Sequence, residues 1–415
     1  MSRRKLLMVA YHFPPLAGSS GIQRALRLVQ HLPGFGWEPL VLTADPRAYE
    51  RTSPDQVVDI PVGTVVERAF ALDAARHLSI AGRYMAWTAR PDRWASWRFD
   101  AVRRGMRLIR EHRPDAIWST YPIATAHVIG AELQRRSGLP WVADFRDPML
   151  QEGYPADPTA WQHFKRIEGD SFARASLTLV TTPGAARYYA ERYTQLKHKI
   201  RVVENGYDEE SFAAAEAVLG RERTPLHPSG LTLLHSGVVY PYERDPIQLM
   251  RALRMLVDRG TLRPGQLRIR FRASGHDDLI RGLADQHGVG SFVETLPPVG
   301  YREALTEMLR ADILLVMQAA NCNDQVPAKV YEYLRSRRPV VALTDATGDT
   351  ARVLRSSGID AIAPLDDASS IADLFGAVMA GNPPAMVATA TAVDASSRKG
   401  RTATLVAELA RLLPR

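Results

Sequence analysis

The 415-residue chain has one cysteine, Cys322, so no disulfide can form within it. Its stability has to come from packing, and a reducing compartment suits it. No apolar stretch approaches the roughly 18 residues that would cross a bilayer. The opening MSRRKLLMVAYHFPP has basic residues and then a short apolar run, which reads as a first core strand rather than a secretory leader. The expected location is cytoplasmic, with a peripheral position on the inner face of the membrane as the variant of it. Low-complexity tracts and short repeats are missing too. With 46% hydrophobic and 24% charged residues, the composition is that of a folded chain and excludes a disordered one. Acidic residues are the minority: the formal charge is +8, which suits phosphate ligands, an anionic membrane surface or nucleic acid. No nucleic-acid-binding motif accompanies that charge, so nucleic acid is not expected as a partner.

What the chain does have is alternation. Apolar, β-branched runs occur at 6–11, 39–43, 64–68, 115–119, 140–144, 177–181 and 200–203. A second series follows at 231–236, 267–273, 291–295, 312–317, 339–343 and 359–363. Helical patterns such as 23–32 and 125–136 lie between them. This rhythm predicts parallel sheets covered by helices. Two series in one chain of this length predict two doubly wound α/β domains, set here at 1–210 and 211–415. The Pro- and Gly-rich stretch ERTPLHPSG at 222–230 reads as linker.

The most informative stretch is DQVPAKVYEYLRSRRPVVAL, residues 324–343. It reads as loop, helix and buried strand. Pro327 fits a first helical position, where its missing N–H costs nothing. Val330 and Leu334 mark the packed face, and Pro339 is expected to end the helix. Lys329 and Glu332 lie three apart on a neighbouring face. They read equally as a solvated ion pair or as a cation for phosphate with an acid for a ribose diol at a helix start.

KVYEYLRSRRPVVAL resembles the donor-site helix of glycosyltransferase family 4, retaining sugar-nucleotide transferases of GT-B fold. Pro327, Lys329, Glu332, Tyr333 and Leu334 match the pattern of one branch of that family. The family carries two glutamates seven residues apart. The second matches Glu332 and the first falls on Asp324, one methylene shorter. The resemblance implies that Glu332 holds the nucleotide ribose and that Asp324 lies near the sugar. It also implies two Rossmann-like domains facing across a cleft, and a last helix, about 398–413, crossing back onto the first domain.

In the first half, LLMVAYHFPPLAGSSGIQR resembles the family's opening. The glycines of GSSG, Gly18 and Gly21 among them, would let backbone approach a ligand before a helix beginning near Ile22. In the family this loop lies over the donor diphosphate and sugar. Arg24 faces either the cleft or solvent. WVADFRDP, 141–148, places Asp144, Arg146 and Asp147 at a strand end. They are either a network bracing the loop or, by resemblance, a wall touching sugar or acceptor. His12 and His127 are further candidates for the cleft, with packed histidines as the plainer reading. NGYDEESF, 205–212, matches the family's connection into the second domain.

In the second half, LLHSGVVYPYERDP, 233–246, resembles the loop that gives a backbone glycine and a cation to the donor diphosphate. Gly237 and Arg244 are the matches, and a guanidinium fork suits phosphate oxygens. The plainer reading pairs Arg244 with Glu243 or Asp245. Lys329 is the second cation. The loop 317–327, ending in Val326 and Pro327, is expected to touch the donor sugar. ASGHDD, 273–278, is too local a set for a metal site and reads as a turn opening a helix.

Segment 83–113 carries Trp87, Trp94 and Trp97, with Phe99, Val102, Met106 and Ile109 at helical spacing and Arg103, Arg107 and Arg110 beside them. It reads as an element for a membrane surface or as an ordinary amphipathic helix packed on a sheet.

The expectation is a retaining, metal-independent glycosyltransferase without a cofactor. It would move a sugar from a nucleoside diphosphate to a hydroxyl of a saccharide, lipid-linked and part of surface polysaccharide synthesis. A sugar-nucleotide epimerase on the same double fold and a binding homologue without turnover are the rival readings.

Overall fold

The structure, a computed structural model, describes residues 3–17, 21–151, 153–220 and 224–413. The chain forms two compact units: Met1–Glu204 with Arg398–Arg415, and Asn205–Ser397.

The first unit runs β1 (Arg4–Val9), α1 (Gly21–His31), β2 (Trp37–Ala44), β3 (Val65–Ala69), α2 (Ala74–His77), α3 (Trp97–His112), β4 (Ala116–Thr120), α4 (Ala124–Ser137), β5 (Trp141–Arg146), α5 (Pro158–Arg174), β6 (Leu177–Val180), α6 (Pro183–Arg192) and β7 (Ile200–Val202). All seven strands are parallel, in the order β3-β2-β1-β4-β5-β6-β7. Leu6, Leu7, Met8 and Val9 of β1 are all fully buried, as a strand covered on both faces requires.

The second unit runs α7 (Glu209–Leu219), β8 (Leu231–Ser236), α8 (Ile247–Asp258), β9 (Leu267–Arg272), α9 (Asp277–Gln286), β10 (Val293–Leu296), α10 (Tyr301–Arg310), β11 (Ile313–Met317), α11 (Ala328–Ser336), β12 (Val340–Leu343), α12 (Asp349–Ser356), β13 (Ile362–Ala363), α13 (Ala368–Met379) and α14 (Ala390–Ala395). Its six strands are parallel in the order β10-β9-β8-β11-β12-β13. In β9, Leu267, Ile269 and Phe271 point into the core, while Arg270 pairs with Glu294 and Arg272 with Glu307 on the other face. The chain then forms α15 (Arg398–Leu412), which returns to the first unit, packs on α1 and buries Leu405 and Leu409 there.

Each apolar run expected to be a strand is one, and both sheets are doubly wound. In each, the strand order reverses once: beside β1 and β4 in the first unit, beside β8 and β11 in the second. At such a reversal the loops leaving the carboxyl ends of two neighbouring strands diverge and leave a crevice, the usual ligand position in open α/β sheets.

Three local details differ from the reading of the sequence. Pro327 flanks α11 instead of opening it: its backbone is extended (φ −57°, ψ 133°) and Ala328 is the first helical residue. The helix stops at Ser336 with Arg337 left-handed at φ 54°, so Pro339 lies beyond the stop. The chain passes into the second unit after Glu204, ahead of the stretch at 222–230, because Phe212 and Ala215 of α7 are already in that unit's core.

The segment 83–113 also divides differently. Trp97 is fully buried, and Val102 and Leu108 of α3 join the core while the helix packs on β2 and β3. Arg104 and Arg107 pair with Glu67 of β3, and Arg103 with Asp100. The face of α3 with Val102, Met106 and Ile109 is therefore turned to the sheet, and much of its charge is answered by carboxylates.

Candidate functional site: two strand-order reversals

In the first unit, the loop after β1 carries His12 and meets the N-terminus of α1 and the end of β5. Gly21 begins α1, and a Cβ there would lie 2.3 Å from Nδ1 of His12 and 3.0 Å from Nη1 of Arg146. Only glycine lets these three groups come together. Burial first, and then the Arg146 cation, push the His12 imidazole down to about 4, so it is neutral near pH 7. Arg146 sits at a register shift at the end of β5 with φ 63°. Its Nη1 is 3.5 Å from the carbonyl of Tyr121, and its Nε is sealed from solvent with no partner among the described residues. Burial, and then the Arg24 charge, hold its pKa below the ordinary guanidinium value.

Arg24 and Asp144 face each other. The guanidinium is bidentate on the carboxylate, Nε to Oδ2 at 2.6 Å and Nη2 to Oδ1 at 3.0 Å, and it also donates to the carbonyls of Val203 at 3.1 Å and Glu204 at 3.4 Å. Asp144 is completely buried. Of the two roles left open for the loop after β5, the geometry gives Asp144 the bracing one, and Arg24, 5% exposed, is its partner and not a solvent-facing arginine. Asp147 is exposed, with its Oδ1 accepting from Thr181 at 3.3 Å. His127 lies in the core, its Nδ1 2.8 Å from the Ser119 hydroxyl and its ring 4.6 Å from that of Phe145, and burial pushes it down to about 3. Gly18 lies outside the described residues.

In the second unit, β8 ends at Ser236 and Gly237 follows at φ 145°, a conformation that favours glycine. The backbone N–H of Ser236 donates to the Tyr333 hydroxyl at 3.0 Å, which ties this turn to α11. Arg244 lies further along the loop. Its Nη1 donates to the carbonyl of Val238 at 2.6 Å, and its guanidinium lies 5.4 Å from the Tyr240 ring centre. It makes no ion pair with Glu243, Asp245 or any other described residue. The plainer reading of Arg244 is thus not what the chain adopts.

The loop after β11 is stitched to the loop after β8. The N–H of Ala319 donates to the carbonyl of Glu243 at 2.7 Å, and Asn321 Nδ2 to that of Tyr242 at 2.9 Å. Gln318 Nε2 braces the inside of the loop by donating to the carbonyls of Cys322 at 2.8 Å and Gln325 at 3.1 Å. Val326 is buried in the core and Pro327 leads into α11. Asp324 is exposed in the same loop.

On α11, Lys329 Nζ pairs with Oε2 of Glu332 at 2.9 Å. The other oxygen, Oε1, accepts from the Tyr301 hydroxyl at 2.9 Å. Val330 and Leu334 anchor the opposite face in the core. Tyr301 was not legible in the sequence, because it opens α10 with no motif around it. Asn321 and the backbone of Ala319 were covered only as members of the loop.

The arrangement is two loops at a strand-order reversal, one carrying a guanidinium with no ion pair among the described residues, next to a helix that presents an ammonium and a carboxylate. The guanidinium and ammonium are donors of the kind that suit phosphate oxygens, and the carboxylate is an acceptor for hydroxyls. Among the described residues no group of three or more His, Cys, Asp or Glu side chains is placed to hold a metal ion.

Comparison with known proteins agrees with this architecture. Residues 20–206 match the family described as Glycosyl transferase 4-like domain. Sucrose-phosphate synthase from Thermosynechococcus elongatus superposes with a TM-score of 0.64 at 15% identity, over 99% of this chain and 98% of that one. Anabaena HepE in complex with UDP gives 0.63 at 13% identity, over 98% and 100%. The fold is GT-B. A UDP-N-acetylglucosamine 2-epimerase shares this GT-B frame less closely, with a TM-score of 0.51 at 13% identity over 99% and 96%. No curated protein matches the sequence.

Proposed function

We propose that this GT-B chain is a retaining glycosyltransferase that moves a sugar from a nucleoside diphosphate to a hydroxyl of a saccharide acceptor. The observation that carries the reading is Arg244. It is a cation with no carboxylate partner among the described residues, bonded to the Val238 carbonyl in a loop that is bonded to the loop leading to Lys329 and Glu332. A guanidinium held in place without a carboxylate keeps donors that suit phosphate oxygens. The glycosyl transferase 4-like match over 20–206 and the GT-B neighbour that holds UDP support a nucleotide-sugar donor.

In this reading Arg244 and Lys329 take the diphosphate, with the backbone at Gly237 close to it. Glu332 takes the ribose hydroxyls. Asp324 and the backbone at Val326 and Pro327 line the sugar, the Val326 side chain staying in the core. In the first unit, His12, Arg146 and Asp147 line the acceptor. Arg24 and Asp144 hold that loop in shape.

In the transfer itself, the bond from sugar C1 to the phosphate oxygen breaks while a bond from the acceptor oxygen to C1 forms on the same face. The acceptor proton passes to the departing diphosphate. The chain's contribution is charge stabilisation of the leaving group, which needs neither metal nor cofactor. The acceptor is a lipid-linked saccharide of a surface polysaccharide, met on the cytoplasmic side of the membrane.

The test is calorimetric titration of UDP-, GDP- and ADP-sugars into purified protein without metal and then with magnesium, followed by acceptor screening. Saturable metal-free binding of one nucleotide class, and product that forms only with acceptor, support the reading. Sugar conversion without acceptor would support an epimerase instead, and binding without turnover a non-catalytic homologue.

A further inference from the structure

The charged face of α3 is largely paired and its apolar face packed, yet the segment just before it is neither. After α2 the chain makes a tight hairpin. Ile80 and Arg83 exchange backbone hydrogen bonds at 2.8 and 3.0 Å, with Ala81 (φ 49°) and Gly82 (φ 75°) at the tip. Positive φ at both central residues is what a type I′ turn demands. A short helical turn, 86–89, follows and packs beside α2.

Residues 80–87 are all exposed. Among them are Ile80, Tyr84, Met85 and Trp87, with Ile80 at 84% and Trp87 at 69% exposure. Leu78, exposed too, precedes them. The Trp87 indole N–H donates to the Met85 sulfur at 3.2 Å, which gathers two of these side chains into one knob. Single exposed apolar residues need no explanation, but a cluster on a formed hairpin marks a surface that meets something.

The charge around the knob says what it meets. From 74 to 91 the chain has no acidic residue and carries Arg76, Arg83 and Arg90. None of the three forms an ion pair among the described residues. The nearest acids in sequence are already engaged: Asp73 caps α2 and neighbours Arg93, and Asp92 accepts from the backbone and hydroxyl of Thr125. An apolar tip with tryptophan and tyrosine, flanked by arginines whose charge is unanswered, fits the headgroup region of an anionic bilayer.

We propose that the hairpin 78–87 is a membrane-surface anchor that inserts Ile80, Tyr84, Met85 and Trp87 among acyl chains. The arginines, Arg83 foremost, stay at the level of the anionic phosphates. The depth is that of an interfacial element, about 5–10 Å, not a span. The assignment narrows the membrane-facing element from the segment 83–113 to its first residues and those just before them. It does not depend on sugar transfer, because it stands on exposure and charge alone.

The experiment is flotation of the full chain with vesicles of phosphatidylcholine alone and of phosphatidylcholine with about one third phosphatidylglycerol. The wild-type chain floats with the anionic vesicles, less so as salt rises, and poorly with the neutral ones. The triple variant Ile80→Ser, Met85→Ser, Trp87→Ser loses at least about tenfold in vesicle affinity. It keeps its melting temperature and its nucleotide binding, since the side chains it removes are on the surface. Arg83→Ser weakens binding to anionic vesicles and flattens the salt dependence. Absence of wild-type binding, or equal binding by the triple variant, overturns the proposal. So does a concentration-dependent dimer in sedimentation that the triple variant abolishes, because the knob would then be a contact with a second copy.

Discussion

The Tyr301 hydroxyl and the Glu332 carboxylate are bonded at 2.9 Å, and Lys329 pairs with the carboxylate's other oxygen at 2.9 Å. Glu332 is therefore hydrogen-bonded at one oxygen and ion-paired at the other before any ligand arrives. A diol that binds there meets a preoriented acceptor and loses little to side-chain ordering.

Glu332→Ala should weaken nucleotide binding by about 1.5–3 kcal/mol, the range for hydrogen bonds to a charged group. Tyr301→Phe removes one donor and leaves the acid in place, so its loss should be several-fold smaller. Calorimetry on both variants checks this, and an unchanged dissociation constant for Glu332→Ala would sink the ribose assignment.

Arg244 and Asp144 should separate binding from stability. Arg244→Ala breaks no ion pair, so unfolding in urea should shift by less than about 0.5 kcal/mol. Its affinity for a nucleoside diphosphate should fall roughly tenfold or more. Asp144→Asn leaves the buried Arg24 charge without its partner and should cost about 3–5 kcal/mol of stability. A loss under about 1 kcal/mol in that variant would show that the pair does not brace the loop.

Gly21→Ala puts a methyl group 2.3 Å from the His12 ring nitrogen. The imidazole or the start of α1 has to move, at a cost of about 1–3 kcal/mol. Thermal unfolding should register that cost. Retained stability and full transfer activity together would mean that His12 moves aside freely and that its position does not matter.

Acid should destabilise the chain earlier than its carboxylates alone would dictate. Burial holds His12 and His235 at about 4 and His127 at about 3 in the folded state, below the ordinary imidazole value of about 6.5. Between those values the unfolded chain binds protons that the folded chain does not. Each such group thus contributes stability that is complete above about pH 6.5 and is lost as pH falls toward its folded value. The slope approaches about 1.4 kcal/mol per pH unit for each histidine. Urea unfolding at pH 7 and pH 5 measures it, and His127→Phe should remove one proton's share of the slope.

The strands were legible because parallel sheets covered on both faces need continuous apolar runs, and runs such as LLMV and VVAL admit little else. Their order was not legible from the residues, since pairing partners leave no local mark. At the second-unit site, Lys329 and Glu332 were legible through spacing and family pattern. That Arg244 lacks a carboxylate was not, because its sequence neighbours Glu243 and Asp245 suggest the opposite. The backbone turns them elsewhere, and the Glu243 carbonyl is spent on Ala319. Tyr301 reaches Glu332 from 31 positions away, a pairing that only the packing of α10 against α11 creates. The tryptophans between 87 and 97 looked alike in sequence and divide in the fold, with Trp97 in the core and Trp87 at the surface.

Residues 205–397 are inserted into the first unit's own sequence, which closes only with α15. The order of synthesis and the order of completion therefore differ. When β7 has left the ribosome, the first sheet is whole, but the groove along α1 that will take Leu405 and Leu409 is still bare. It stays bare while almost two hundred residues of another unit are made. A nascent chain halted in the second unit would present that apolar groove to chaperones or to other chains. Cutting the protein just before α15 would leave the second unit intact and the first one uncovered, so damage at the far end of the chain is felt at its beginning.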